Sequence, residues 1–108
     1  MLYELKLETY QGPLDKLLEL VEGKKLEITK ISLADVTADF LNFLKKLESE
    51  GANHSLIADF LVVASKLILI KSKVLLPALT LSEEEESDIH DLEARLKIYA
   101  ELSRQKRF

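Results

Sequence analysis

The chain has no cysteine and no tryptophan, and only two prolines, three glycines and two histidines among its 108 residues. Without thiols there is no disulfide framework, no thiolate nucleophile and no thiolate metal ligand, a composition that suits a reducing cytosol. His54 and His90 stand far apart, and neither has a second His or Cys at ligand spacing, so a zinc-type centre lacks a donor set. The glycines are too few and scattered to cradle phosphate. None of the patterns G-x-x-x-x-G-K, G-x-G-x-x-G, G-x-S-x-G or H-E-x-x-H occurs, which leaves phosphate binding, serine-elbow and zincin chemistry unsupported. No stretch of about 20 residues is free of charge, as a membrane span requires; the most apolar one is interrupted by Asp59, Lys66, Lys71 and Lys73. The formal net charge of −4 opposes direct nucleic-acid binding, which needs a clustered Lys/Arg surface. The opening residues MLYELKLETY carry charges where a secretion signal needs an unbroken apolar core. These absences together describe a cytoplasmic, non-enzymatic protein with no metal, no cofactor, no membrane segment and no direct contact with nucleic acid.

What the chain does have is apolar content, 47% of its residues, and few helix breakers, so the expected class is mostly α. The stretch Leu56 to Pro77, LIADFLVVASKLILIKSKVLLP, carries the longest apolar helical run. At 100° per residue, Leu56, Phe60, Val63, Leu67, Ile70 and Val74 form one stripe of bulky side chains. Nearly opposite run Ala58, Val62, Ser65, Leu69, Ser72 and Leu76, in which every other residue is small, so that another helix backbone can come close. Ile57, Leu61, Ala64 and Ile68 fill the arc between the stripes, and Asp59, Lys66 and Lys73 make one narrow polar line. A helix apolar nearly all round must be covered on more than one side. Two readings of the second stripe stand: burial by the chain's own helices, or a face reserved for a partner.

Elsewhere the pattern is simpler. Tyr3, Leu5 and Leu7 alternate with Glu4, Lys6 and Glu8, the rhythm of a short half-buried strand whose one candidate pairing segment inside the chain is Lys25 to Ile28. Gly12 and Pro13 open a short helix with Leu14, Leu17, Leu18 and Val21 on one face and Gly23 placed to cap it. Ser32 is a plausible N-cap for a second long helix with Leu33, Val36, Phe40, Phe43, Leu44 and Leu47 inward, ended by Gly51. Asn53 or Ser55 caps the central helix. After Pro77 the composition turns to Ser and acid, and Glu83 to Glu86 reads as a solvated linker or a first helical turn, with Ser82 and Glu85 at capping-box spacing. Ile89, Leu92, Leu96 and Tyr99 share a face of a last helix, flanked by the i, i+4 pairs Asp91 with Arg95 and Glu93 with Lys97. The expected architecture is a small helical bundle with a short N-terminal strand and a separate C-terminal helix after an acidic linker: a helical domain over 1–78, the linker over 79–88 and a partner-binding helix from 89 to 108.

Three segments, in order, resemble one family. YQGPLDKLLELV at Tyr10 to Val21 is similar to the opening motif of segregation and condensation protein A, the bacterial and archaeal kleisin; IADFLVVASKLILIKSKVLLP at Ile57 to Pro77 looks like its signature helix; and DLEARLKIYAEL at Asp91 to Leu102 falls where that family has a helix after a charged spacer. The connection KKLEITKIS at Lys24 to Ser32 departs from the Asp- and Ile-rich form usual in relatives. The resemblance implies a non-catalytic subunit of a condensin-like complex in chromosome condensation and segregation, cytoplasmic and associated with the nucleoid through that complex. It implies that the N-terminal helical domain packs on the coiled-coil neck of a structural-maintenance-of-chromosomes ATPase, that a central region binds segregation and condensation protein B, and that family members continue past Phe108 into a winged helix. Under this reading the small-residue stripe is the partner seam, Ala58, Val62, Ser65, Leu69 and Ser72, with Asp59, Lys66 and Lys73 at its rim; the opposite choice of faces is the alternative. Leu92, Leu96 and Tyr99 are then the expected protein B contacts. A self-associating helical regulatory bundle, which buries the second stripe against its own copy, is the rival function.

Overall fold

The computed structural model describes residues 12–105. Five helices run through them: α1 (Pro13–Gly23), α2 (Lys30–Asp35), α3 (Thr37–Ser49), α4 (His54–Leu75) and α5 (Glu83–Gln105). α4 lies at the centre and packs against each of the other four. The expected strand is not supported. Among the described residues there is no strand, Lys25 to Ile28 is a loop, and Tyr3, Leu5 and Leu7 lie outside the described residues.

Pro13 starts α1, where its missing N–H costs nothing, and the Asp15 carboxylate accepts from the Gly12 N–H at 2.9 Å. Leu17, Leu18 and Val21 form its buried face. The helix stops differently from the expected glycine cap. Leu26 N–H donates to the Val21 carbonyl at 3.1 Å and Lys25 N–H to the Glu22 carbonyl at 2.9 Å, the paired bonds of a Schellman stop, and the left-handed position in it is taken by Lys25 at φ 59°. Gly23 sits inside the last turn. At the end of α3 the same motif is built on Gly51 at φ 77°, with Ala52 N–H donating to the Leu47 carbonyl at 3.1 Å.

The second long helix is broken in two. Thr29 is the N-cap of α2: its hydroxyl accepts from Ser32 N–H at 3.1 Å, while Ser32 Oγ accepts from Thr29 N–H at 2.9 Å. Ser32 is thus the third residue of a reciprocal cap rather than the cap itself. At Val36 the backbone leaves helical geometry, φ −95° and ψ 3°, and the buried Thr37 hydroxyl donates back to the Leu33 carbonyl at 2.8 Å, a side-chain bond of the kind that bends helices. The bend turns Leu33, Val36 and Phe40 into one closed surface, all three with no exposed area. Phe40 on α3 stacks on Phe60 of α4 and Phe43 meets it at a tilt, with ring centroids 5.4 and 5.6 Å from it. Lys16 on α1 places its ammonium 4.3 Å from the Phe43 ring centre, a cation–π contact between α1 and α3.

The expectation of a separate C-terminal helix is also corrected. The acidic run Glu83 to Glu86 forms the first turn of α5, where carboxylates are favoured by the helix dipole, and Ser82 and Glu85 make both bonds of a capping box at 2.9 and 3.0 Å. Ile89, Leu92, Leu96 and Ala100 then bury against α4 and α1, so α5 is a wall of the same core. The physical reason is its apolar stripe, which is covered on one side by α4, only a short turn upstream, and on the other by α1 from the start of the described chain.

Candidate functional site

α4 begins at Asn53, whose side chain accepts from Leu56 N–H at 2.9 Å; the cap is therefore Asn53 rather than Ser55. Its far end is closed by Lys73, which donates from Nζ to the Pro77 and Leu79 carbonyls at 2.9 and 2.6 Å. A cation at a helix C-terminus meets the negative end of the dipole, and here it also fixes the turn toward α5. The 22 residues of α4 are buried along one side, where its neighbours pack.

On that side Phe60, Val63, Ala64, Leu67 and Ile70 are 8% exposed or less. On the other, Leu61, Val62, Ile68, Leu75 and Leu76 are 47 to 65% exposed, with Ala58 and Ser65 open beside them. The bulky stripe thus faces the core from Phe60 to Ile70, while its ends Leu56 and Val74 are only partly covered. The small-residue stripe is open at Ala58, Val62 and Ser65 and half-covered at Leu69 and Ser72. Leu69 packs its inner edge against the core, and Lys66 is half-buried at the border. Ser65 Oγ donates to the Val62 carbonyl at 2.8 Å, so its polar atom is satisfied within the helix and does not call for an outside partner.

Sequence reasoning left Leu61 and Ile68 in the arc between the stripes, and Leu75 in neither stripe. All three belong to the open face. The signal that could have found them is the 3, 4 spacing of Leu61, Ser65, Ile68, Ser72 and Leu75, a second seam parallel to the first. Near its end the face meets a groove of about 370 Å³ between α2 and α4, lined by Ile31, Ala34, Val74 and Leu75 among others. Ile31, 71% exposed on α2, extends the apolar surface across that groove.

The expected contacts on the last helix lie differently. Leu92 and Leu96 are buried in the core and Tyr99 is half-covered, whereas Ile98 and Leu102, one turn apart, point out of the bundle at 62 and 51% exposure. Charge is arranged around these surfaces rather than within them. Lys24, after α1, reaches Asp39 on α3 at 3.2 Å and Asp35 on α2 at 3.6 Å. The hydrogen bond to Asp39 holds the lysine above its ordinary pKa, with the field of Asp35 adding to it against a smaller desolvation effect. Among the described residues no three His, Cys, Asp or Glu side chains come together as a metal site, and no helix is long and apolar enough to cross a membrane. What the site offers chemically is an apolar helical face with small residues set into it, suited to packing against another helix.

A family model described as Segregation and condensation protein ScpA matches residues 20–108. The chain is 38% identical over 98 residues to segregation and condensation protein A of Halothermothrix orenii, covering 91% of this chain and 40% of that protein. It is 41% identical over 95 residues to the Mycoplasma mobile protein of the same name, covering 88% and 37%, and 32% identical over 114 residues to that of Brevibacillus brevis, covering 100% and 43%. It spans about 40% of the length of these relatives. No solved structure matches it. With a family model covering most of its length and relatives of one name aligned across nearly all of it, the chain belongs to the segregation and condensation protein A family.

Proposed function

We propose that the chain is a non-catalytic interaction subunit of a condensin-like complex in chromosome condensation and segregation. Residues 1–78 supply the module that packs on the coiled-coil neck of a structural-maintenance-of-chromosomes ATPase. Residues 89–108, after the acidic segment 79–88, begin the region that takes protein B, so that the chain bridges the two in the cytoplasm, on the nucleoid. The observation that carries this reading is the open face of α4. Leu61, Val62, Ile68, Leu75 and Leu76 are 47 to 65% exposed along one side of the 22-residue helix and its C-cap, interleaved with Ala58 and Ser65. Two seams at 4, 3 spacing are the pattern that a coiled coil accepts as knobs, and Asp59, Lys66 and Lys73 lie along the border as rim charges.

The test is a binding titration against a purified ATPase head-and-neck fragment, with the double variant Val62→Glu, Ile68→Glu. Each parent side chain has about half its surface left to bury, worth about 1 to 1.5 kcal/mol on docking, and a carboxylate in the seam adds a desolvation cost. The expected loss is therefore about a hundredfold or more in Kd, with circular dichroism unchanged. Unaltered binding would remove the proposal. The rival, a bundle that covers this face with its own copy, would declare itself in native mass spectrometry as a tight dimer that does not exchange for the ATPase fragment.

A further inference from the structure

The chain is acidic overall, with a formal net charge of −4, but the border of the open face of α4 is not. Its charged side chains are Asp59, Lys66, Lys71 and Lys73. At 100° per residue, with Ser65 as the middle of the face, Lys66 stands about 100° to one side and Lys71 about 120° to the other, so the C-terminal half carries an ammonium on each flank. Asp59 lies on the flank of Lys66, two turns earlier and about 10 Å away along the axis. Lys73, on that flank too, is already held by the Pro77 and Leu79 carbonyls at 2.9 and 2.6 Å. Lys66 and Lys71 make no ion pair among the described residues. The carboxylates that share a groove with Lys71, Glu27 and Asp35, stand on its other wall, and Asp35 already has Lys24 at 3.6 Å. On the side of α5, Glu86 shares a pocket with Lys30 and Lys73, not with Lys66.

Lys66 and Lys71 are both half-buried. Such lysines lay their stems on apolar surface and keep the ammonium in water only while the surface beside them stays open. A helix laid across Leu61, Ile68 and Leu75 excludes that water, and an ammonium cut off from water with no carboxylate to meet is costly. We propose that the helix which docks on α4 is acidic along both edges of its apolar seam, with carboxylates meeting Lys66 and Lys71 and none opposite Asp59. This rests on the reading that a partner helix covers the open face; it adds the chemistry which that helix must carry. Positions flanking an apolar seam are where helices choose their partners by charge. A basic helix of equal shape is then refused by repulsion rather than by size, and encounter with an acidic one is sped by the field of the two lysines.

Two synthetic helical peptides of about four heptads test this without any other protein, both with Leu at a and d, one with Glu and the other with Lys at every e and g. Net charge alone would make an acidic chain prefer the Lys peptide. The expected result at low salt, by fluorescence anisotropy, is the reverse, with the Glu peptide bound about tenfold tighter or more; the preference should fade at about 1 M salt, where charges are screened beyond about 3 Å. Lys66→Glu with Lys71→Glu should invert it, and the milder Lys66→Gln with Lys71→Gln should level it, with circular dichroism unchanged; if the first pair loses helicity, the second decides. Equal binding of the two peptides, binding of neither, a preference for Lys, or a Glu preference that survives the substitutions overturns the inference. A purified ATPase head-and-neck fragment separates this from the reading on which it rests. Its association with the Lys66→Glu, Lys71→Glu chain should be about tenfold slower than with the parent, and an unchanged rate overturns the acidic seam. No binding of the fragment to the parent chain, with the Glu preference intact, instead removes the neck as the partner and leaves an acidic helix as the occupant.

Discussion

The two sides of α4 are close in hydrophobicity and opposite in fate. The side made of Phe60, Val63, Leu67 and Ile70 is sealed by α2, α3 and α5, while the side made of Val62, Ser65, Leu61 and Ile68 is left open. Charge does not separate them, because Asp59, Lys66 and Lys73 run along the border of both. Size does. A sealed face needs side chains large enough to reach its neighbours, whereas an open face that must later meet another helix gains from small residues that let backbones approach. Leu61 and Ile68 qualify this rule: they are bulky and open, so the open side holds knobs as well as holes.

The contrast can be broken most forcefully from inside. Phe60 has no exposed surface, stacks on Phe40 and meets the Phe43 ring at a tilt, so Phe60→Ala should cost about 3 to 5 kcal/mol of unfolding free energy by chemical denaturation; a cost below about 1 kcal/mol would mean that the sealed side is not the structural one. Leu69 sits on the boundary, half-covered with one edge against the core. Leu69→Ala is expected to cost about 1 to 2 kcal/mol, between the two faces, and under the proposed function it should also weaken binding to the ATPase neck. The open side marks the lower end of the scale. The Val62→Glu, Ile68→Glu pair should move the denaturation midpoint by an amount near the limit of measurement, since exposed substitutions stay within about 0.5 kcal/mol each, while under the proposed function weakening partner binding about a hundredfold or more. Stability and binding would then report on opposite faces of one helix.

Much of this was legible in the residues. The mostly helical class, the core face of α1, the bulky stripe of α4 and the capping box at Ser82 and Glu85 follow from spacing and residue size, which act locally. The strand did not survive as a feature of the described chain, and its one internal pairing segment, Lys25 to Ile28, is shaped instead by the stop signal of α1. The break at Val36 was hidden because Leu33 to Leu47 keeps helical periodicity straight through it, and only the buried Thr37 hydroxyl and the packing of Leu33 on α4's side of the bundle require a bend. α5 was misread as separate because a run of four glutamates has the composition of a linker; at a helix N-terminus the same four charges are stabilising. As for the surface, the pattern pointed to the side of Val62 and Ser65 but could not tell that Leu92 and Leu96 would be claimed by the chain's own core, since the pairing of distant helices is not written in the period of either one.

Lys25 gives the molecule an unspent margin. A left-handed backbone costs a residue with a β-carbon about 1 to 2 kcal/mol, and the equivalent stop at Gly51 avoids that strain. The Lys25 side chain is exposed, and no ion pair among the described residues uses it. Replacing it by glycine should therefore recover up to about 1 kcal/mol after the added freedom of the unfolded chain is counted, read as a rise in the denaturation midpoint. The gain would arise away from α4, at a position outside both of its faces, so a Lys25→Gly background would let the damaging substitutions on either side be studied in a chain that still folds.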